Sequence, residues 1–245
     1  QRAGHDINYI ALAGALHAIG HKGARPTLPL NLVGDFGGGG LLLAFGVVTA
    51  LLETQKSGKG QVVDAAMVDG VAALMASVYA GMQQGFWSDQ RGENLLDSGA
   101  AFYDVYETSD GKFVSIGALE PQFYKELVER LGLEGKAPAP MDHLNPAKWN
   151  ELRPTLEELF RTRTRDEWCE VFEGSDACFA PVLAAAEVFE HEHHRARRSF
   201  VDVDGVKHAV AAPRFSRTKP ADPTPARDRG ADTEAILAEI GVTLS

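Results

Sequence analysis

The sequence has little cysteine and no dense run of basic residues, and both deficits exclude classes of protein. Only two cysteines, Cys169 and Cys178, occur in 245 residues, too few for a disulfide framework, so a reduced, intracellular protein is the simpler prediction. The formal net charge is −10 and no Lys/Arg stripe occurs, which argues against a nucleic-acid partner. A small ligand that bears phosphates is compatible with this charge, because a few placed cations suffice to bind it.

No signal peptide is visible in this sequence, and long hydrophobic runs are also scarce. The longest apolar stretch, Leu41 to Leu52, is shorter than the roughly 20 residues that span a bilayer, and Gly46 and Thr49 interrupt it. We therefore predict no membrane partner. The chain begins at Gln1 without a methionine, and we expect that an N-terminal segment precedes it.

Apolar residues are abundant, at 44%, which is enough for a substantial core in one large domain or two small ones. Their spacing predicts three buried helices over residues 6–19, 36–55 and 65–84, with a short strand over 61–64. Such a run is typical of part of an α/β layer.

The composition changes over residues 85–100, which we interpret as a domain boundary. The chain beyond it alternates hairpins with shorter amphipathic helices. Thr164, followed by Glu167 three residues on, predicts a capping box at a helix start. The predicted elements are a hairpin over 102–116, helices over 121–132, 148–162 and 165–173, an extended piece over 178–182, a polar helix over 184–198, a hairpin over 200–210 and a helix over 233–240.

Two helix starts carry groups that can hold or donate a proton. His5 immediately precedes the first apolar helix, where the helix dipole favours a neutral imidazole, a ready proton acceptor. Asp35 precedes the glycine run 37–40 as the N-cap of the second helix. Spacing alone favours a simple capping role for both residues. Each helical glycine costs about 1 kcal/mol relative to alanine, which indicates that a ligand or a packed neighbour approaches the backbone closely.

Glu120 and a histidine cluster are weaker candidates. Glu120 lies between a hairpin strand and Pro121, and it is either a helix-start charge or a group that reaches another domain. The cluster His191, His193 and His194 lies on a polar helix, where a solvated face is favoured over a zinc site. We therefore predict no metal.

Three motifs resemble the racemase branch of the family III CoA-transferase (CaiB/BaiF) superfamily. They are Gly4 to Tyr9 with the helix that follows, Asn31 to Gly39, and Gly58 to Met67. The paired His5 and Asp35 motifs are far more specific than any short pattern. The similarity extends over nearly the whole chain and includes the later segments Tyr103-Asp104, 117–120 and 178–182.

The resemblance implies an α/β fold in which a Rossmann-like large domain, only part of which is present, accompanies a small α+β domain. Residues 1–99 would form the large-domain portion, 100–199 the small domain, and 200–245 the return to the large domain. Family members are interlocked homodimers with an active site between the large domain of one chain and the small domain of the other. The expected N-terminal segment would supply much of the sheet and of the CoA site.

The resemblance also implies the roles of individual residues. His5 and Asp35 match the two acid/base groups, Glu120 a carboxylate that supports the histidine from the partner subunit, and Asn31 an active-site residue near the aspartate. The implied reaction racemises 2-methylacyl-CoA thioesters through an enolate, with no cofactor besides the CoA of the substrate. The matched substrate-binding residues are Gly4, Asp6, Ile7, Asn8, Tyr9, Gly37 and Gly38.

Two alternatives stay open at this point. A family III CoA-transferase would use Asp35 as a nucleophile and would need no second proton-handling group opposite it, so His5 discriminates between the two. A non-catalytic segment that only dimerises or binds a partner is the third reading. The C-terminal sequence, ending at Ser245, is no peroxisomal Ser-Lys-Leu signal, which favours a cytoplasmic location.

Overall fold

The computed structural model describes residues 3–242 and separates into two units, one ending at Val182 and one starting at Leu183. Ser245 and the two residues before it, on which the predicted location partly depends, lie outside the described range. The predicted domain ranges 1–99, 100–199 and 200–245 concern the whole protein and stay a prediction.

The first predicted helix is wrong as one continuous element. It forms α1 (Asp6–Leu12) and α2 (Ala15–Ala18), because Gly14 between them adopts a left-handed conformation with φ of 75°. The helix predicted over 65–84 is likewise two helices, α4 (Met67–Leu74) and α5 (Ala76–Gln84).

The second predicted helix is longer and wider than expected. It begins as a π-helix over Leu32–Leu41, which we call the π segment, and continues as α3 (Leu42–Ser57) until Gly58 ends it with φ of 72°. The strand predicted over 61–64 is wrong. Within the part of the chain that the structure describes, those residues have no strand beside them, and a β-strand requires a hydrogen-bonded neighbour.

The π segment packs directly on α4. A Cβ atom on Gly70 would lie 1.8 Å from the carbonyl oxygen of Gly38, and one on Gly38 would lie 2.7 Å from the backbone nitrogen of Val71. Only glycines permit such an approach of two backbones. The close neighbour that the glycine run predicts is therefore a packed helix. A small core lies beneath it, formed by Ile10, Ala13, Ala15 and Val71.

A larger core lies in the later part of the same unit, beneath a three-stranded antiparallel sheet. Its strands are β1 (Tyr103–Glu107), β2 (Phe113–Gly117) and β3 (Phe179–Val182), in the order β1-β2-β3, with Ser115 opposite both Val105 and Ala180. This confirms the predicted hairpin and the extended piece. The buried residues include Tyr106, Val114, Ile116, Tyr124, Leu127, Leu156, Phe160, Trp168 and Phe172.

Three helices complete this core, α6 (Pro121–Arg130), α7 (Arg153–Phe160) and α8 (Arg165–Phe172). The predicted capping box at Thr164 is confirmed, because Glu167 accepts the Thr164 N–H at 2.8 Å and donates its own N–H to the Thr164 hydroxyl at 3.3 Å.

In the second unit, the helix predicted over 184–198 is two short helices, and the hairpin and final helix are confirmed. These elements are α9 (Ala185–Val188), α10 (Glu192–Arg197), β4 (Phe200–Val203), β5 (Val206–Ala209) and α11 (Thr233–Glu239).

The continuous helix Leu32–Ser57 is 26 residues long and, by length and composition, could cross a membrane. The sequence-based judgement that this apolar stretch is too short was wrong, because the π segment extends it toward the N-terminus. Core helices of soluble proteins can have the same length and apolar composition. Only 6% of its most apolar window is buried, so a large apolar surface faces outward.

Candidate active site

His5 stands at the start of α1, with extended backbone angles of −123° and 179°. Its backbone N–H donates to the Asn8 side-chain oxygen at 3.0 Å, so a neighbouring amide stabilises this helix start. The imidazole is exposed to solvent. The position therefore combines a fixed backbone with an accessible ring that can exchange a proton.

Asp35 is not the N-cap that the sequence predicts. Asn31 takes that place, and Asp35 is the fourth residue of the π segment. The Phe36 N–H donates to the Asn31 carbonyl at 3.3 Å, five residues back, which is the wider winding of a π-helix. The glycines permit this winding because no Cβ atoms crowd it. The Asp35 carboxylate is exposed, and one of its oxygens accepts the Asn31 side-chain amide at 3.2 Å.

The buried carboxylate of Asp6 joins the two candidate segments. Asp6 follows His5 directly, and its Oδ2 accepts the backbone N–H of Asp35 at 2.7 Å. A Cβ atom on Gly34 would lie 2.3 Å from that same oxygen, so glycine is required next to Asp35 for the two segments to meet. The structure thus brings His5, Asp6, Asn31 and Asp35 into one connected group.

The other predicted substrate-binding residues surround this group. Ile7 is 42% exposed beside His5, Asn8 is engaged in the helix start, and the Tyr9 ring packs on Gly4, where an added Cβ would lie 3.1 Å from the ring. Gly37 is half-buried and Gly38 is buried against α4. Contact of any of these residues with a substrate stays a prediction.

Glu120 lies apart from this group, on the larger core. It is the N-cap of α6 and is exposed, and no hydrogen bond or ion pair among residues 3–242 joins it to His5 or Asp35. Burial raises the pKa of the Cys178 thiol, and the carboxylates of Glu120 and Asp176 raise that pKa further. Glu120 follows Gly117 by three residues, and the Gly117 N–H donates to the Cys178 carbonyl at 2.9 Å at this end of the sheet.

An open cavity of about 300 Å³ lies at this end of the sheet. Tyr103 and Asp104, which the family resemblance includes, line it together with Gly117 and Cys178. Asp104 is paired with Arg153, which also donates to the Ser98 carbonyl at 2.6 Å and thereby ties β1 to the segment that precedes it.

His143 is a buried residue behind Glu120 that sequence reasoning missed. Its Nε2 lies 3.0 Å from the carbonyl oxygen of Leu119, and its ring stacks on Tyr124 with centroids 3.9 Å apart. Burial lowers the pKa of His143, and the bond to Leu119 opposes that shift. The local sequence, between Pro140 and Pro146, carries no periodic signal that predicts burial.

Within the described range, no three His, Cys, Asp or Glu side chains form a group that could hold a metal ion. In the histidine cluster, the His191 side chain instead accepts the backbone N–H of His193 at 3.3 Å as a helix cap.

Comparison with known proteins places this arrangement in context. Residues 1–233 match the family described as CoA-transferase family III. The chain is 46% identical over 243 residues to the mouse protein described as alpha-methylacyl-CoA racemase, and 42% identical over 241 residues to the human one. Each of these matches covers 98% of this chain and 63% of the relative. The chain therefore spans less than two thirds of the length of these relatives.

The fold also matches a solved structure. A CAIB/BAIF family protein from Brucella suis superposes with a TM-score of 0.76 at 23% sequence identity, over 98% of this chain and 63% of that one. At this identity the match confirms the fold, a mixed helix and strand architecture of the CaiB/BaiF type, and carries no information on the reaction.

Proposed function

Since the chain belongs to CoA-transferase family III, we propose that the whole protein is a racemase that interconverts the (2R) and (2S) forms of 2-methylacyl-CoA thioesters. The observation that carries this proposal is the connection of the His5 and Asp35 segments through the Asp6 carboxylate. It connects two segments that carry exposed proton-holding side chains, His5 at the start of α1 and Asp35 in the first turn of the π segment. The similarity to two mammalian racemases supports the same assignment.

Racemisation at the α-carbon needs two groups that handle a proton on opposite faces. One removes the α-proton, the other returns a proton to the opposite face, and the two exchange roles in the reverse direction. In one direction the neutral His5 imidazole takes the proton and a protonated Asp35 carboxyl gives one. After the product has formed, His5 is protonated and Asp35 is ionised. Proton exchange with solvent then restores the neutral imidazole and the protonated carboxyl.

The intermediate is an enolate whose oxygen carries the negative charge. The backbone N–H groups of Asp6 and Ile7, at the start of α1, have no acceptor among residues 3–242 and lie next to His5. We assign them to the enolate oxygen, because oriented N–H donors stabilise charge that develops in a transition state. Asn31 orients Asp35 through the 3.2 Å bond to its carboxylate.

Glu120 would complete the site from the partner subunit of a homodimer. A carboxylate that accepts one ring N–H of His5 fixes the tautomer and leaves the other nitrogen to act as base.

We expect the helix Leu32–Ser57 to be a core helix of the large domain, covered in the whole protein, rather than a membrane anchor. We propose that the reaction needs no cofactor, because the thioester already acidifies the α-proton. We also propose a cytoplasmic location.

A CoA-transferase with Asp35 as nucleophile is the second candidate, because the Asp35 carboxylate is exposed and Asn31 donates to it. This function is less supported. It leaves His5 without a role, and the relatives with 42% and 46% identity are described as racemases.

Exchange in deuterated water tests the proposal. The whole protein is incubated with one enantiomer of a 2-methylacyl-CoA, and we expect deuterium at the α-carbon together with loss of optical purity. The same reaction with an added free carboxylic acid detects transfer of CoA to that acid. If no deuterium enters the α-carbon and CoA moves to the added acid, the racemase assignment is refuted in favour of the transferase.

A further inference from the structure

The segment that presents Glu120, which we call the Glu120 corner, comprises residues 118–120 between β2 and α6. Its backbone is held from one side by the Ala118 N–H, which donates to the Phe102 carbonyl at 3.1 Å. On the other side, Glu120 is the N-cap of α6, and its carbonyl accepts the Tyr124 N–H at 2.9 Å. The direction of the Glu120 side chain therefore depends on how this short corner is fixed.

His143 contacts the chain on both sides of Glu120, at Leu119 in the corner and at Tyr124 in α6. Its Nε2 lies 3.0 Å from the carbonyl oxygen of Leu119, the residue before Glu120. A carbonyl only accepts, so Nε2 carries the proton and donates it. The ring also stacks nearly parallel, at 5°, on Tyr124, one helical turn after Glu120. Phe102, whose carbonyl holds Ala118, packs edge-on against the same imidazole at 4.8 Å.

This arrangement is unfavourable for an imidazole that only fills space. His143 is 1% exposed, and within the described part of the chain its Nδ1 has no hydrogen-bond partner. A buried polar atom without a partner is destabilising, and an apolar ring of similar size would avoid it. What the imidazole adds, and a phenyl ring cannot, is the directed hydrogen bond to Leu119.

We propose that His143 is a positioning residue that holds the Glu120 corner, and so the Glu120 carboxylate, in place for its contact with the catalytic histidine. The proposal rests on the proposed racemase function for its effect on the reaction. The placement of the corner itself does not depend on that function.

Two variants separate the hydrogen bond from the ring. His143→Gln places an amide N–H near the Nε2 position and removes the stack on Tyr124, whereas His143→Phe keeps the stack and removes the donor. The matched control is Tyr124→Phe, because the Tyr124 hydroxyl is buried without a partner among the described residues and its loss leaves the stack intact. All three are made in the whole protein, and kcat, KM and the thermal midpoint are measured.

We expect His143→Phe to lower kcat for α-proton exchange by about 10- to 100-fold with little change in KM, since displacement by about 1 Å has an effect of that order. His143→Gln should keep kcat within about 3-fold of the wild type, even though it loses the stack on Tyr124 and its thermal midpoint falls. A purely structural role predicts the opposite order, with activity following the thermal midpoint. That order, or an equal loss of kcat in both variants, would overturn the proposal.

A double substitution tests whether the effect passes through Glu120. In a Glu120→Gln background, adding His143→Phe should lower kcat by less than about 2-fold, because residues that act through one group are not additive. Independent, multiplicative losses would count against positioning.

Hydrogen exchange of the backbone separates this proposal from the racemase assignment. We expect faster amide exchange over residues 117–124 in His143→Phe, and wild-type exchange there in His143→Gln and Tyr124→Phe. A wild-type protein that shows no α-proton exchange would refute the proposed function alone, and amide exchange would then decide whether His143 holds the corner. Equal amide exchange in all variants would refute the positioning role.

Discussion

Gly34→Ala is the substitution that most directly tests the link between the two segments that carry His5 and Asp35. The added methyl group would lie 2.3 Å from Asp6 Oδ2 and 3.0 Å from a methyl group of Ile10. Ordinary contact requires at least 3.4 Å, so the carboxylate and the backbone of residue 34 must separate by about 1 Å. The 2.7 Å bond from Asp35 to Asp6 then lengthens beyond hydrogen-bonding distance. The side chains of His5 and Asp35, the two proposed acid/base groups, are unchanged in this variant.

The loss can be estimated from this bond. A hydrogen bond to a charged group contributes about 1.5–3 kcal/mol, and its loss here leaves a buried carboxylate without that donor. We expect the free energy of unfolding to fall by about 2–3 kcal/mol. Because displacement of a reacting group by about 1 Å can lower the rate roughly 100-fold, we expect a loss of that order in kcat for α-proton exchange.

Urea unfolding and α-deuterium exchange measure the two effects. Gly60→Ala is the matched control, because its Cβ would meet nothing within 4 Å and its φ is not in the left-handed range. We expect this control to match the wild type in rate. If Gly34→Ala unfolds and exchanges as Gly60→Ala does, the Asp6 carboxylate does not hold the two segments together.

Two further predictions concern ionisation and subunit sharing. Burial lowers the pKa of His143, so below about pH 6.5 the unfolded state binds a proton that the folded state does not. Stability should therefore be full above about pH 6.5 and fall as the pH drops below it, while the stacked Tyr124, its pKa raised to about 12, stays neutral. Urea unfolding between about pH 5 and 8 should show this slope in the wild type and a weaker one in His143→Phe. For the shared site, inactive His5→Ala and Glu120→Ala proteins should regain exchange activity when mixed, through dimers with one intact site. No recovery in confirmed mixed dimers would contradict a Glu120 supplied by the partner subunit.

The elements that short sequence signals predicted were those with local causes. The hairpin through Asp110-Gly111, the helix that starts at Pro121 and the capping box at Thr164 all depend on residues within a few positions of one another. Periodicity failed where a single backbone conformation overrode it. The turn at Gly14 splits one predicted helix, although its apolar pattern continues on both sides.

The features of the candidate site also divide into those that a sequence motif predicts and those that it does not. The sequence motifs identified His5, Asp35 and Asn31, and the structure places all three in one connected group. The helix start at Asp35 was predicted wrongly, because a π-helix differs from an α-helix in hydrogen-bond spacing and not in residue type. Glu120 was a weak candidate from its position before Pro121, and only the family resemblance implied its role beside the histidine.

The sequence by itself determined the helix starts, the turns, the family and the residue types able to move a proton, because each is encoded in neighbouring residues or in a continuous motif. Only the tertiary structure decided that Asp6 holds Asp35, that the glycine run serves the approach to α4, and that His143 lies behind Glu120. These three contacts join residues 29, 32 and 24 positions apart. Contacts at such separations depend on how whole elements pack, which no local propensity specifies.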